Sequence, residues 1–174
     1  ALNLLSGGSV FLYYGEELGM KGSGKDENKR APMYWSKDDK AEGMCKGPAD
    51  MEDFQMKFDS LEEQQEDPDS IYNYVKQVIR VRNQNPVIAR GTTAYLEQYS
   101  GEQCFALTRS YEGSNLLLLG NTSAEAVSVD LTVGGTTAEE LVLLGELYTG
   151  EETAERAGTV VTLPAYSILI LGEE

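Results

Sequence analysis

The sequence contains no histidine. That removes Ser-His-Asp and Cys-His mechanisms and every zinc site that needs an imidazole. Cysteine is scarce as well, because Cys45 and Cys104 are the only two. Two thiolates cannot complete an all-cysteine zinc site, and their wide spacing, in what read as different structural units, makes two free thiols the expectation rather than a disulfide. Positive charge is in short supply: 14 Lys and Arg stand against 29 Asp and Glu, a formal net charge of -15. Such a surface repels phosphate backbones and anionic membranes, so nucleic acid is disfavoured as a partner. No apolar run approaches the roughly 18 residues of a membrane span, and no basic segment precedes an apolar stretch as in a signal peptide. The sequence opens at Ala1 inside an apolar-periodic stretch (Leu2, Leu4, Leu5) and without an initiator Met, so it reads as cut from a longer one.

With 174 residues and 41% hydrophobic content, the chain has enough apolar material for a globular core of one or two domains. Residues Ala1 to Ser9 read as a helix tail stopped by Gly7-Gly8. Val10 to Tyr14 follows as an unbroken apolar run, the pattern of a strand buried on both faces in a parallel sheet. From Lys21 to about Glu66 the residues are polar and Gly-rich with scattered Met and aromatic side chains, which reads as one long, shaped loop. Asp67-Pro68-Asp69-Ser70 then opens a helix whose apolar stripe is Ile71, Val75, Val78 and Ile79, stopped at Asn85-Pro86. Beyond Pro86 the texture changes to short β-prone runs at 93–98, 104–108, 116–119, 126–131, 141–148, 160–163 and 166–171. Breaks at Ser100-Gly101, Glu112-Gly113, Asn121-Thr122-Ser123, Gly134-Gly135 and Gly150 separate them, which predicts an antiparallel sandwich. Alternation places Leu96, Phe105, Leu107, Leu117, Leu119, Val127, Val129, Leu143, Val161, Ile168 and Ile170 in its core. The four leucines 116–119 leave the inward face of their strand undetermined.

Three stretches together resemble one family. Val10-Phe11-Leu12-Tyr13-Tyr14-Gly15-Glu16-Glu17-Leu18-Gly19-Met20 resembles the eighth barrel strand of the α-amylase superfamily, glycoside hydrolase family thirteen, where an apolar strand runs into Tyr-Gly-Glu-Glu. Asp26 followed by Arg30-Ala31-Pro32-Met33-Tyr34-Trp35 is similar to that family's Arg-x-Pro-Met-x-Trp loop. Leu61-Glu62-Glu63-Gln64, Asp67-Pro68-Asp69-Ser70 and the helix to Arg82 are similar to its eighth barrel helix. Leu163-Pro164-Ala165-Tyr166-Ser167 resembles the approach to the last strand of its domain C.

The resemblance implies an α+β fragment. Residues 1–86 would be the C-terminal remnant of the (β/α)8 barrel, with one strand, a long loop and one helix, and residues 87–174 domain C, an antiparallel β-sandwich. It implies a parent enzyme that cleaves or transfers α-glucosidic bonds of malto- or isomalto-oligosaccharides by a retaining mechanism with two carboxylates. In that family the catalytic carboxylates come from strands four, five and seven, so no catalytic residue is assigned in this chain and the fragment itself is expected to be inactive. Glu16 and Glu17 do not replace them. Retaining glycosidases need two carboxyl groups about 5–5.5 Å apart across one bond, and adjacent residues point in different directions.

Chemistry in a (β/α)8 barrel sits on loops at the strand C-termini, which makes the loop after Tyr14 the candidate substrate face. Within it Arg30 offers a fork of donors for sugar hydroxyls or a carboxylate, and Tyr34 and Trp35 offer flat faces for a pyranose ring. Arg30 anchoring its own loop, and Trp35 with Met33 forming a small loop core, are the structural alternatives. No cofactor or metal is expected: Asp50, Glu52, Asp53 and the acidic run 62–69 lack EF-hand spacing and read as a solvated face. Asn121-Thr122-Ser123 fits a glycosylation sequon but sits where a turn is needed.

The rival reading is a non-catalytic carbohydrate-binding or stabilising sandwich built from residues 90–174, with Tyr95 and Tyr99 on one face. A homodimer through Val10–Tyr14 and the helix stripe, or packing of both onto the β-domain, is expected to cover the apolar residues of the barrel segment.

Overall fold

The structure, a computed structural model, describes residues 1–132 and 140–172. The seven β-prone runs become strands and an eighth, β6, joins them among the described residues: β1 (Thr92–Tyr95), β2 (Cys104–Tyr111), β3 (Ser114–Asn121), β4 (Val127–Asp130), β5 (Val142–Leu147), β6 (Glu155–Ala157), β7 (Val160–Leu163) and β8 (Ile168–Gly172). They form a five-stranded sheet in the order β1-β2-β3-β8-β5 and a three-stranded sheet in the order β4-β7-β6. Every pairing is antiparallel, as the alternating patterns require. The β2–β3 hairpin turns on Glu112 and Gly113, both at positive φ (49° and 86°), the mirror-image turn that suits strand twist. The expected break at Gly134-Gly135 lies outside the described residues.

Asn121-Thr122-Ser123 is a turn, and a filled one. The Asn121 amide donates to Glu125 O, Leu163 O and Pro164 O, while its Oδ1 accepts from the amide and hydroxyl of Ser123. Burial of Asn121 beside those carbonyls satisfies a corner that would otherwise leave backbone oxygens without donors. Tyr166, expected inside the last strand, instead adopts φ 48° in the neighbouring corner, and β8 starts after it.

The large sheet is buried on both faces. Tyr99, Ala106, Leu119, Leu169 and Leu171 meet Val129, Leu131, Val161 and Leu163 in the core between the sheets. Pairing fixes the register: Ala106 faces Leu119, and Leu119 faces Leu169. Leu118, Ile168, Ile170 and Leu147 therefore belong to the opposite face, together with Phe105 and Leu107. This corrects the expected core, which mixed the two faces. Runs that are apolar at every position carry no alternation to read. Leu143 is exposed rather than buried, since a register shift follows it in β5.

Helical segments of the chain's first residues and of residues 77–90 cover that second face. α1 is Leu2–Leu5, α2 Leu61–Glu66, α3 Ile71–Gln84 and α4 Pro86–Arg90. Pro86 does not end helical structure but begins a new turn, because proline at the first helical position lacks only an N–H that would be orphaned anyway. The Val81 side chain lies 2.8 Å from where a Cβ on Gly145 would stand, so β5 needs glycine there to admit the helix. Val78, Val81, Ile88 and Ile170 are all buried. Arg109 of β2 reaches Ile88 O at 2.6 Å and also donates to Thr93. Its burial, and then Arg82, lower its pKa. Arg82 clasps the first residues of the chain through Leu4 O (2.7 Å), Ser6 O (2.6 Å) and Gly8 O (2.5 Å). The far end of the helix stripe is thus covered within the chain and needs no second copy.

Contacts divide the chain into two compact units, residues 1–10 with 77–174, and Phe11–Lys76. The expected strand Val10–Tyr14, nearly all of it in the second unit, departs from expectation. It forms no strand, and Phe11 is 85% exposed. A strand exists only as a hydrogen-bonded neighbour of another strand, and none of the β-ladders among the described residues includes this run.

Gln64 is the internal tie of the second unit. Its Nε2 donates to Leu18 O (3.0 Å) and Asp59 O (2.7 Å), while its Oε1 accepts from Tyr72 N (3.1 Å).

The double cover predicts a sharp contrast. Ile170→Ala, with its side chain sealed between sheet and helix, should cost about 2–5 kcal/mol in urea unfolding, whereas exposed Leu143→Ala should stay within about 0.5 kcal/mol. Equal costs at the two sites would contradict the assignment of faces.

Candidate functional site

After the apolar run the chain turns through Gly15 (φ 86°) and Gly19 (φ 63°), with the 3-10 turn Glu16–Leu18 between them. Left-handed φ at both ends is why glycine brackets the turn. The turn folds Tyr13 and Tyr14 back beside a second 3-10 turn, Glu27–Arg30. Between them lies a cleft of about 480 Å3, lined by Tyr13, Tyr14, Glu16, Met20, Asp26, Lys29 and Arg30.

The tyrosine rings are 4.8 Å apart, and Tyr14 donates its hydroxyl to Ala31 O at 2.9 Å. Desolvation, then the adjacent Tyr13, pushes the Tyr14 phenol above its ordinary pKa, so it stays a neutral hydroxyl at neutral pH. Glu16 and Asp26 share the lining with Lys29 and Arg30, and Asp26 pairs with both cations, which leaves the cleft close to charge balance. Such walls, with aromatic faces and fixed donors and acceptors, suit a neutral polyhydroxylated ligand better than an ion.

Arg30 is half exposed and pairs with Asp26 and Glu27, each at 3.5 Å. It therefore fills both expected parts at once, lining the cleft while anchoring its own turn. Glu16 accepts weakly from Tyr13 N at 3.4 Å. Glu17 does not line the cleft, and its buried Oε2 has no hydrogen-bond partner. The two neighbours do not face one another across a shared space.

Tyr34 and Trp35 stand apart from the cleft lining. They are fixed on the start of α2, where Leu61 N donates to Tyr34 O (2.9 Å) and Glu62 N to Trp35 O (3.1 Å). These are N–H groups that a helix cannot satisfy internally. Ser60 and Glu63 complete a capping box, and Lys37 pairs with Glu63 and with Asp59. The Lys37 ammonium holds the Glu63 carboxyl below its ordinary pKa. Trp35 remains 44% exposed on this rigid mount. Of the expected trio, the structure brings only Arg30 into the cleft.

Sequence reasoning missed Tyr13, Tyr14, Asp26 and Lys29 as lining residues. The first two carried a usable signal, a pair of tyrosines at the end of an apolar run and just before a glycine turn. Among the described residues no group of three or more His, Cys, Asp or Glu could hold a metal ion, and no helix is long and apolar enough to cross a membrane. On the β-sheet unit, the expected aromatic pair is broken. Tyr95 is 58% exposed, but Tyr99 is buried and donates to Leu131 O at 3.1 Å. Alternation stops at Tyr95 because Glu97–Tyr99 is a 3-10 turn rather than strand.

Comparison with known proteins identifies the family. Residues 1–91 match the family model described as alpha amylase, catalytic domain. The solved structure of Eubacterium rectale Amy13B superposes with a TM-score of 0.93 at 43% identity, over 99% of this chain and 33% of that one. The alpha-amylase from H. orenii gives a TM-score of 0.77 at 26% identity, over 99% of this chain and 34% of that one. Alpha-amylase 3 of Dictyoglomus thermophilum is 33% identical over 48% of this chain and 17% of its own length. The Streptomyces lividans alpha-amylase is 27% identical over 98% of this chain and 18% of its own. The chain thus spans less than a fifth of these curated relatives and about a third of the two solved chains. With more than half of its residues inside the matching family model, this chain belongs to the α-amylase family of glycoside hydrolases.

Proposed function

We propose that this chain is the C-terminal portion of an α-amylase-type enzyme acting on α-glucosidic bonds of malto- or isomalto-oligosaccharides, with residues 1–86 the end of its (β/α)8 barrel and 87–174 its domain C. The observation that carries the proposal is the Amy13B match, which runs through nearly the whole chain at 43% identity, cleft loop and sandwich alike. Within the chain, the charge-balanced cleft with Tyr13, Tyr14 and Arg30 is the part that would meet sugar, and Trp35 and Tyr34 offer a second, separate aromatic surface. Glu16 and Glu17 are adjacent and only Glu16 lines the cleft, so we do not read them as a catalytic pair and assign bond cleavage to residues outside this chain. The rival reading, a carbohydrate-binding sandwich, has only Tyr95 as an exposed ring on β1 and is weaker for the burial of Tyr99.

Two measurements test the proposal. Purified chain should release no reducing sugar from starch, maltotriose or isomaltose, because a retaining glycosidase requires both carboxylates. In the complete enzyme, Arg30→Ala or Trp35→Ala should raise KM about tenfold with a small change in unfolding midpoint. A midpoint lowered by several degrees with unchanged kinetics would assign both residues to loop structure instead.

The exposed apolar and aromatic side chains of Phe11–Tyr14 are also the surface through which two copies of the chain would pair, since association would remove that apolar area from water. Light scattering should find a dimer that Phe11→Ser with Leu12→Ser returns to monomer. A wild-type chain that is monomeric at every concentration refutes pairing.

A further inference from the structure

All five methionines of the chain, Met20, Met33, Met44, Met51 and Met56, fall between residues 20 and 56. They lie in the unit Phe11–Lys76, and each is half-buried. Fully buried large apolar side chains are sparse there, Leu18 being one. Thioethers thus supply much of the apolar filling of this loop unit, where an irregular backbone favours unbranched, adaptable side chains.

Three of the sulfurs are placed against backbone. Met20 Sδ lies 2.7 Å from where a Cβ on Gly15 would stand, and Met51 Sδ 2.6 Å from the same point on Gly47. Met56 Sδ accepts from Lys21 N at 3.3 Å. Partial exposure lets a small oxidant reach them. The close glycine backbone leaves no room for an added oxygen on that side of Met20 or Met51.

We infer that this methionine set makes the loop unit a peroxide-sensitive element, which loosens on sulfoxide formation while the β-sheet unit, which contains no methionine, keeps its fold. The step is a two-electron oxygen transfer. The Sδ lone pair attacks one oxygen of a hydroperoxide, the O–O bond breaks and an S–O bond forms. Sulfur is oxidised, and the other oxygen leaves as water or an alcohol after taking up the proton. The product is a polar, bulkier side chain where an apolar one was packed. Met20 lines the cleft, so loosening reaches the Tyr13–Tyr14 wall as well. The inference does not depend on the cleft binding sugar.

The chain supplies its own reporter, because its single tryptophan, Trp35, lies within the same stretch. The test is hydrogen peroxide treatment of the full chain carrying Cys45→Ser, which removes the exposed thiol. Peptide mass mapping assigns the oxidised residues. Once Met20 and Met51 are sulfoxides, Trp35 emission should shift to the red and trypsin cleavage at Lys21, Lys25 or Lys57 should accelerate about tenfold. The far-UV strand signal should stay unchanged, and methionine sulfoxide reductases should reverse the effect. The five-fold Met→Leu variant should show neither change. If that variant does not fold, Met20→Leu with Met51→Leu serves, and should remove most of the acceleration. Sulfoxides at Met20 and Met51 with unaltered emission and cleavage would overturn the inference, as would an equal response from the leucine variants.

Discussion

A sheet whose central strands carry unbroken apolar runs must be covered twice, and the rest of this structure follows from that constraint. β3 carries four leucines in a row and β8 the run Ile168 to Leu171. Full burial of such side chains is worth roughly 1.5–3 kcal/mol each, a large sum against a domain's net stability of about 5–15 kcal/mol. One cover is the small sheet of β4, β7 and β6. The other is helical, from the second half of α3 and from α4. Glycine at 145 opens the space for Val81, and Arg109 and Arg82 satisfy carbonyls where helix ends and the first residues of the chain meet.

This arrangement explains why a helix that resembles the last helix of a barrel shares one compact unit with the β-sandwich. Its apolar stripe is divided: Val78 and Val81 serve the sheet, while Ile71, against Gly19, serves the loop unit. The loop unit in turn has little apolar core and relies on polar ties. Buried Gln64 joins the Glu16–Leu18 turn to α2 and α3, and buried Asn28 donates to Glu52 and Ser23 O. Polar ties hold exposed side chains such as Arg30 and Trp35 in place without burying them, as the ligand-facing role proposed for this loop would require.

Much of this was legible in the sequence because period and punctuation were clear. The helix from Ile71, the seven longer strands and the turn at Asn121 all carried local signals. β6 did not, since Glu155–Ala157 is a short, exposed and polar edge, and α4 hid behind a proline that reads as a stop. Face assignment in β3 and β8 failed for a physical reason: alternation carries no information in a strand buried on both sides. The same ambiguity hid the cleft. Tyr13 and Tyr14 read as the end of a buried strand, whereas the chain turns at Gly15 and presents them to solvent beside Arg30.

Hydrogen exchange of the full chain, resolved by segment, tests the double cover most directly. Amides of Val78–Gln84 should open together with those of Leu116–Leu119 and Ile168–Leu171, all at the slowest rate in the molecule, because helix and strands would then share one cooperative unit. Exchange of Val78–Gln84 at the fast rate of the 20–56 loop, with the strands still protected, would contradict the account.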